Sequence, residues 1–393
     1  MSSPPPSPAP EPADVLAMLR GVVDPELHEN IVDLGMVRSV DVGPDGTAVV
    51  EIALTVASCP LRSQIETDVR SKLEGLPGVS GVDLRVGAMD AHEKAELMSR
   101  ARMRARDDAA PTQVPSTTRV VSVSSGKGGV GKSTTSVNLA VALKDRGFTV
   151  GVMDADIWGF SVPRMLGVEG RLSARDGKIV PSVVDGLKVV SMGNLVDEED
   201  TALMWRGLVL TKAVEQFLRD VAWGDMDYLV VDMPPGTGDV QMGLARMLPQ
   251  AEMLIVTTPQ VVAQKVAARA GSMARRSHMK ILGVVENMSG FTCEHGSHYD
   301  LFGAGGGDAL AGDLGVPLLA QVPLDPAALS GGDAGVPIVH LAPESPAAAA
   351  YRELARRISE ELMAPPDMTS CTARIQAHLA RVAAGTPPAD TPA

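Results

Sequence analysis

Gly126-Lys127-Gly128-Gly129-Val130-Gly131-Lys132-Ser133-Thr134 is the stretch from which the rest of the chain is read. It satisfies GxxxxGK[ST], a loop whose glycines let backbone N–H groups turn inward around phosphate oxygens. The helix that follows such a loop presents its N-terminus to the same anion. Lys132 is placed to reach the β- and γ-phosphates, and the Ser133 hydroxyl to ligate Mg2+. The whole run from Gly126 to Thr134 is therefore the expected cofactor-binding loop for a nucleoside triphosphate. Its context agrees. Val120-Val121-Ser122-Val123 reads as a buried strand. From Ser133 to Lys144, Val137, Leu139, Ala140, Val141 and Leu143 recur at helical spacing, with Gly147 as the stop.

From Arg119 onward the pattern alternates strand and helix. Strands are expected at Val120–Ser124, Val150–Asp154, Leu187–Ser191, Tyr228–Asp232, Met253–Thr257 and Ile281–Glu286. Helices are expected at Leu208–Asp220, Gln260–Arg276 and Pro346–Met363. Such alternation predicts a mostly parallel sheet flanked by helices, an α/β fold with its ligand at the carboxyl ends of the strands. Residues 1–12 are expected to be a disordered Pro/Ser-rich tail, and residues 13–88 a small α/β domain of their own. Within it, helices are expected at Val15–Val22 and Ile65–Leu73, and strands at Thr47–Thr55 and Val82–Val86. Residues 89–118 carry a helix (Asp90–Asp107) and a Pro/Thr/Ser linker, residues 119–365 the nucleotide domain, and residues 366–393 a loose Ala/Pro-rich tail.

Bulk properties narrow the function. The chain has 393 residues, 45% of them hydrophobic and 21% charged, which is a globular balance. A net charge of −13 argues against a nucleic-acid surface, which needs a basic patch. Arg100, Arg102, Arg104 and Arg106 do cluster, but among acidic residues, as on a solvated helix. Three cysteines, Cys59, Cys293 and Cys371, fit a reducing cytoplasm. The N-terminal residues lack the features of a secretion signal. No apolar run reaches the roughly 18 residues of a membrane span.

Carboxylates close two of the apolar strands. Val152-Met153-Asp154-Ala155-Asp156 would turn Asp154 and Asp156 toward the phosphates, one to orient Mg2+-bound water and the other to position the attacking water. Leu229-Val230-Val231-Asp232 has the form of a strand ending in a Mg2+-supporting aspartate. The Pro234-Pro235-Gly236-Thr237-Gly238 loop after it suits a switch that reorders when the γ-phosphate leaves. Lys127, a second cation in the phosphate loop, is expected to reach the γ-phosphate of a neighbouring subunit as an arginine finger does. Lys127, Lys132, Asp156 and Asp232 are thus the expected catalytic set, with Ser133, Asp156 and Asp232 around Mg2+. Asn287 would hydrogen-bond an adenine edge, with a purely structural asparagine as the competing reading. The sequence after it lacks the aspartate of a guanine-reading NKxD motif, so ATP is favoured over GTP.

Ser125 to Thr134 resembles the deviant phosphate loop of the MinD/ParA-type ATPases. Asp154-Ala155-Asp156-Ile157-Trp158-Gly159-Phe160-Ser161-Val162-Pro163, Asp232-Met233-Pro234-Pro235-Gly236-Thr237-Gly238-Asp239, Glu286-Asn287-Met288-Ser289 and Asp300-Leu301-Phe302-Gly303 resemble, within them, the Mrp (ApbC-like) iron–sulfur cluster carriers. The small domain resembles the SufT-like iron–sulfur assembly domain through Asp24-Pro25-Glu26-Leu27, Ile31-Val32-Asp33-Leu34-Gly35, Thr55 and Cys59-Pro60. The resemblance implies a MinD/ParA-like P-loop NTPase fold preceded by a small α/β domain. It also implies a cytoplasmic ATP-hydrolysing homodimer that holds a labile cluster and passes it to apo iron–sulfur proteins. A cluster-assembly scaffold is a further implied partner, and neither nucleic acid nor a membrane is.

The family usually pairs two cysteines as CxxC, whereas this chain reads Cys293-Glu294-His295-Gly296. Two subunits then give two thiolates around a cluster, 4Fe-4S by resemblance. His295 and His298 stand nearby as surface residues or as imidazole ligands. The alternatives are an ordinary thiol at Cys293 and a MinD/ParA-like positioning ATPase without a cluster. The positioning ATPase would need a terminal amphipathic helix, for which Ile375, Leu379 and Val382 form a weak stripe. A reductase resembling the nitrogenase iron protein would also need paired cysteines and ranks last.

Overall fold

The computed structural model describes residues 9–24, 29–54, 62–90, 92–97, 99–100, 110–156, 159–195, 207–236 and 238–363. The chain divides into two units, Met1–Asp108 and Ala109–Ala393.

In the first unit, a helix at Pro12–Leu19 begins with Pro at its first turn and a reciprocal Glu11/Asp14 capping box. It starts and stops earlier than the apolar spacing alone suggested. Val22 lies beyond Gly21, ahead of strand β1 (Val23–Asp24), which pairs with β2 (Glu29–Asn30). Strands β3 (Val37–Val42), β4 (Thr47–Leu54) and β5 (Gly81–Ala88) form one sheet, antiparallel between β3 and β4 and parallel between β4 and β5. The crossover between β4 and β5 contains the helix Arg62–Glu74, which buries Ile65, Val69 and Leu73 against Val50, Ile52 and Leu54. Residues 92–97 and 99–100 are helical, in line with the expected helix. Asp90 is described but not helical; residues 91, 98 and 101–107 of that helix, Thr55, Cys59-Pro60, Pro25-Glu26-Leu27 and Cys371 lie outside the described residues.

The second unit is built on one sheet. After β6 (Arg119–Ser125) and β7 (Val150–Asp154) come the short β8 (Ser173–Arg175), β9 (Lys178–Val180) and β10 (Ser182–Val184). Then follow β11 (Leu187–Ser191), β12 (Tyr228–Asp232), β13 (Glu252–Thr257), β14 (Lys280–Asn287), the hairpin β15 (Phe291–Thr292) and β16 (His298–Tyr299), and β17 (Leu318–Val322). The strand order is β10-β11-β7-β12-β6-β13-β14-β17, parallel except for β10 against β11. β7 and β12 are buried along their full length. That is the signature of strands covered on both faces.

One apolar core on one face gathers Leu229, Val231, Ile255, Phe217, Leu218 and Trp223. The other gathers Val121, Val123, Val152, Val230, Leu143 and Tyr351. The helix Lys132–Asp145 leaves the end of β6 and is buried along almost all of its length. The sheet order reverses around β6, since the chain runs to β7 on one side and to β13, β14 and β17 on the other. The carboxyl end of β6 is therefore the crevice in which such sheets bind ligands.

Candidate functional site

Four strand ends meet at that crevice. Gly131, with φ of 77°, ends the phosphate loop and caps the helix beginning at Lys132. A Cβ there would stand 2.0 Å from the Asn287 amide nitrogen, so glycine is required by both backbone and space. Gly126 is equally confined, because a Cβ would meet the backbone of Val266 and Ala267 at 2.4 Å.

Lys132 Nζ lies 2.8 Å from Asp232 Oδ1 and 3.7 Å from Asp156 Oδ2. The Ser133 hydroxyl donates to Asp232 Oδ2 at 2.6 Å. The Ser136 hydroxyl donates to Asp232 Oδ1 at 2.7 Å. Asp232 has no exposed surface and Lys132 only 7%. Ser133, Asp156 and Asp232 offer hard oxygen donors of the kind Mg2+ takes alongside phosphate oxygens, with few carboxylates and no closed protein cage. Among the described residues no three His, Cys, Asp or Glu side chains form such a cage. The donor set therefore fits Mg2+ held jointly with a nucleotide.

The two aspartates after β7 part company. Asp156 reaches Lys132. Asp154 is fully buried and its oxygens are taken by protein donors: the Asp156 amide at 3.1 Å, the Val162 amide at 3.3 Å and the Ser191 hydroxyl at 3.0 Å. Burial first, and the Asp232 charge second, push its carboxyl up to about 8. Asp154 thus pins the segment that carries Asp156 rather than opening onto the phosphates.

Lys127 stands apart from this cluster. Its ammonium donates to Gln260 Oε1 at 3.2 Å, just before the helix Val261–Arg276. The loop after Asp232 is stitched to the end of β6 by Met233 N–H on the Val123 carbonyl and Gly236 N–H on the Ser125 carbonyl. Its Thr237 lies outside the described residues. Asn287 ends β14 and its amide donates to the Val130 carbonyl at 2.9 Å, inside the phosphate loop. It also lines a cavity of about 660 Å³ together with Gly131, Phe160, Pro323, Asp325 and Tyr351. That cavity opens beside the phosphate loop. Asn287 therefore braces the loop and borders the cavity at once.

Three partners escaped the sequence reading: Ser136, Ser191 and Gln260. Only Ser136 left a trace, four residues after Lys132 and so on the same helix face.

Cys293 sits in the turn between β15 and β16. Its N–H donates to the Ser297 carbonyl, and Gly296 N–H closes the turn on the Cys293 carbonyl. Gly296, with φ of 81°, holds the place where a second cysteine would stand. The His295 backbone N–H, the largest influence, lowers the Cys293 thiol and favours the thiolate that binds metal. His298 bridges Thr292 and Asp300 through its two ring nitrogens, at 3.1 and 3.2 Å, as a strut of the hairpin.

Residues 116–359 match the model of the NUBPL iron-transfer P-loop NTPases, and residues 12–84 match that of an iron–sulfur cluster assembly protein. An iron–sulfur cluster carrier protein of Mycobacterium tuberculosis is 46% identical over 325 residues, covering 81% of this chain and 85% of its own. One from Deinococcus radiodurans is 44% identical, covering 88% and 95%. A nucleotide-binding protein of Archaeoglobus fulgidus, solved in complex with ADP, is similar at 33% identity with a TM-score of 0.50. It covers 60% of this chain and 91% of that one. With the phosphate loop, its paired carboxylates and the parallel sheet all in place, this chain belongs to the NUBPL iron-transfer P-loop NTPase family.

Proposed function

We propose that the protein is an ATP-hydrolysing carrier that takes up an iron–sulfur cluster and delivers it to apo iron–sulfur proteins. The observation that carries this reading is a shared strand. β14 ends in Asn287, which is bonded to the phosphate loop, and the chain then runs directly into the hairpin that bears Cys293. The relatives, iron–sulfur cluster carrier proteins of Mycobacterium tuberculosis and Deinococcus radiodurans, support the cargo.

In this reading Lys132 and the inward N–H groups of the loop bind the triphosphate. Asp156 positions the attacking water, and Ser133, Asp156 and Asp232 would hold Mg2+, which would supply charge neutralisation to the phosphates. Lys127 acts across a homodimer interface on the partner's γ-phosphate. Asn287 borders the adenine. The cluster, 4Fe-4S by resemblance, is shared between two subunits through one Cys293 thiolate each. Gly296 has no ligand atom, so this turn gives each subunit one thiolate for the cluster. The cytoplasm suits such free thiols. Among the described residues, no helix is long and apolar enough to cross a membrane. Ile375, Leu379 and Val382, on which a membrane-targeted alternative would rest, lie outside those residues.

Anaerobic reconstitution with iron and sulfide tests the cargo. Wild type is expected to stay coloured after desalting. Cys293→Ala should lose iron by more than the about tenfold that loss of a merely outer-shell metal partner costs. A wild type that emerges colourless, or a Cys293→Ala protein equally rich in iron, would refute the reading.

A further inference from the structure

Glu286 is a fully buried carboxylate that the phosphate chemistry leaves unused. It lies at the end of β14, next to Asn287. Its Oε2 accepts the Gly307 N–H at 2.5 Å. Its Oε1 accepts the Ser289 hydroxyl at 2.8 Å and the Gln321 amide at 3.0 Å. All three donors are neutral. Burying a carboxylate among neutral donors costs more than an apolar side chain of similar size, so plain packing does not account for it.

The position of the donors does account for it. Ser289 opens the excursion that carries Cys293, and Gly307 lies just past its return. Glu286 holds both ends. The return is wedged on a second side as well. A Cβ on Gly306 would stand 2.2 Å from the Pro259 carbonyl, and a Cβ on Gly307 would stand 2.6 Å from Glu286 Cβ. Pro259 precedes Gln260, the partner of Lys127. The excursion is thus anchored beside two residues that touch the phosphate loop, Asn287 through Val130 and Gln260 through Lys127.

We propose that Glu286 is a positioning residue that clamps both ends of the Cys293 excursion to the nucleotide site, so that nucleotide binding changes the exposure of Cys293. This rests on the proposed nucleotide site and cargo. Coupling between sites runs through contiguous bonded groups of this kind when they have two arrangements. Displacement of the phosphate loop by ATP pulls on Asn287 and Gln260, and a rigid clamp carries that displacement to both ends of the hairpin.

The test is alkylation of Cys293 by iodoacetamide in the full-length protein, read at the Cys293 peptide by mass spectrometry, with and without Mg-ATP. In wild type, Mg-ATP is expected to change the rate by about fivefold or more. Glu286→Ala should shrink that change to under about twofold, with ATP affinity held within about threefold. Glu286→Gln, whose amide oxygen still accepts from Gly307 and whose NH2 can donate to Ser289 and to a Gln321 amide turned to present its oxygen, should restore most of it. If Glu286→Ala does not fold, Ser289→Ala takes its place and should reduce the nucleotide effect by about half on the same scale. A wild-type rate that ignores ATP overturns the proposal. So does a folded Glu286→Ala or Ser289→Ala protein with the full wild-type effect, or a Glu286→Ala protein whose ATP affinity falls with the effect. A wild type that shows the ATP effect yet retains no iron on reconstitution leaves the clamp standing and removes the cluster reading alone.

Discussion

Lys132→Ala is expected to lose ATP binding by about 100-fold or more, the scale of two charge-assisted hydrogen bonds to phosphate, and to lose hydrolysis with it. The same substitution should weaken the nucleotide-free fold. Lys132 lies within 4 Å of two buried carboxylates, Asp232 and Asp156, and its charge also lowers the Asp154 carboxyl. Removing one partner from a buried pair costs about 3–5 kcal/mol when the charge left behind stays ionised. Asp154, whose carboxyl Lys132 holds down, is the group that rises further when that charge is removed.

The sign of the pH effect follows. A carboxyl raised in the folded state holds a proton that the unfolded chain releases, so stability declines as pH rises between the unfolded and folded pKa values. Without Lys132 the Asp154 carboxyl rises beyond its wild-type value of about 8, so in urea unfolding Lys132→Ala should go on losing stability above about pH 8, where the wild type has levelled off. A folded variant with wild-type ATP affinity, or one with a wild-type pH profile, would contradict this account of the site.

Lys127→Ala should separate binding from chemistry. Lys127 bonds Gln260 and lies outside the Lys132–Asp232–Asp156 cluster. Its removal leaves that cluster intact, so ATP affinity should stay within about threefold, while turnover falls by about 10³-fold, the scale of losing an arginine finger. Loss of Lys127 should also cost about as much in a mixed dimer when only the subunit facing the intact active site carries the substitution. That result is specific to action across an interface. Unchanged turnover in the single variant would remove Lys127 from catalysis and weaken the argument for a shared site.

Much of this was legible before any coordinates. Six strands of the large sheet were readable because burial on both faces makes them nearly continuous apolar runs, as in Leu229-Val230-Val231. The two edge strands, β10 and β17, were not. Ser182-Val183-Val184 and Leu318-Leu319-Ala320-Gln321-Val322 are half-buried, and their periodicity is correspondingly faint. The strand Val37–Val42 was missed for the same reason.

At the site, residue types and strand ends were readable but the use of each oxygen was not. Asp154 and Asp156 look alike in sequence, yet the fold spends the oxygens of Asp154 on Asp156 N–H, Val162 N–H and Ser191. The second role of Asn287, its bond to Val130, depends on β14 lying two strands from β6, a tertiary fact. The clamp at Glu286 joins residues far apart in sequence for the same reason.

The most direct test of the central claim is cluster transfer itself. Reconstituted wild-type protein is mixed with an apo iron–sulfur acceptor, and the acceptor's recovered absorbance is followed with and without Mg-ATP. The account predicts that ATP alters the transfer rate by about fivefold or more, the range of ordinary coupling between two sites. It also predicts that this difference disappears in Lys132→Ala. Equal rates with and without ATP, from a protein that binds both ATP and cluster, would contradict it.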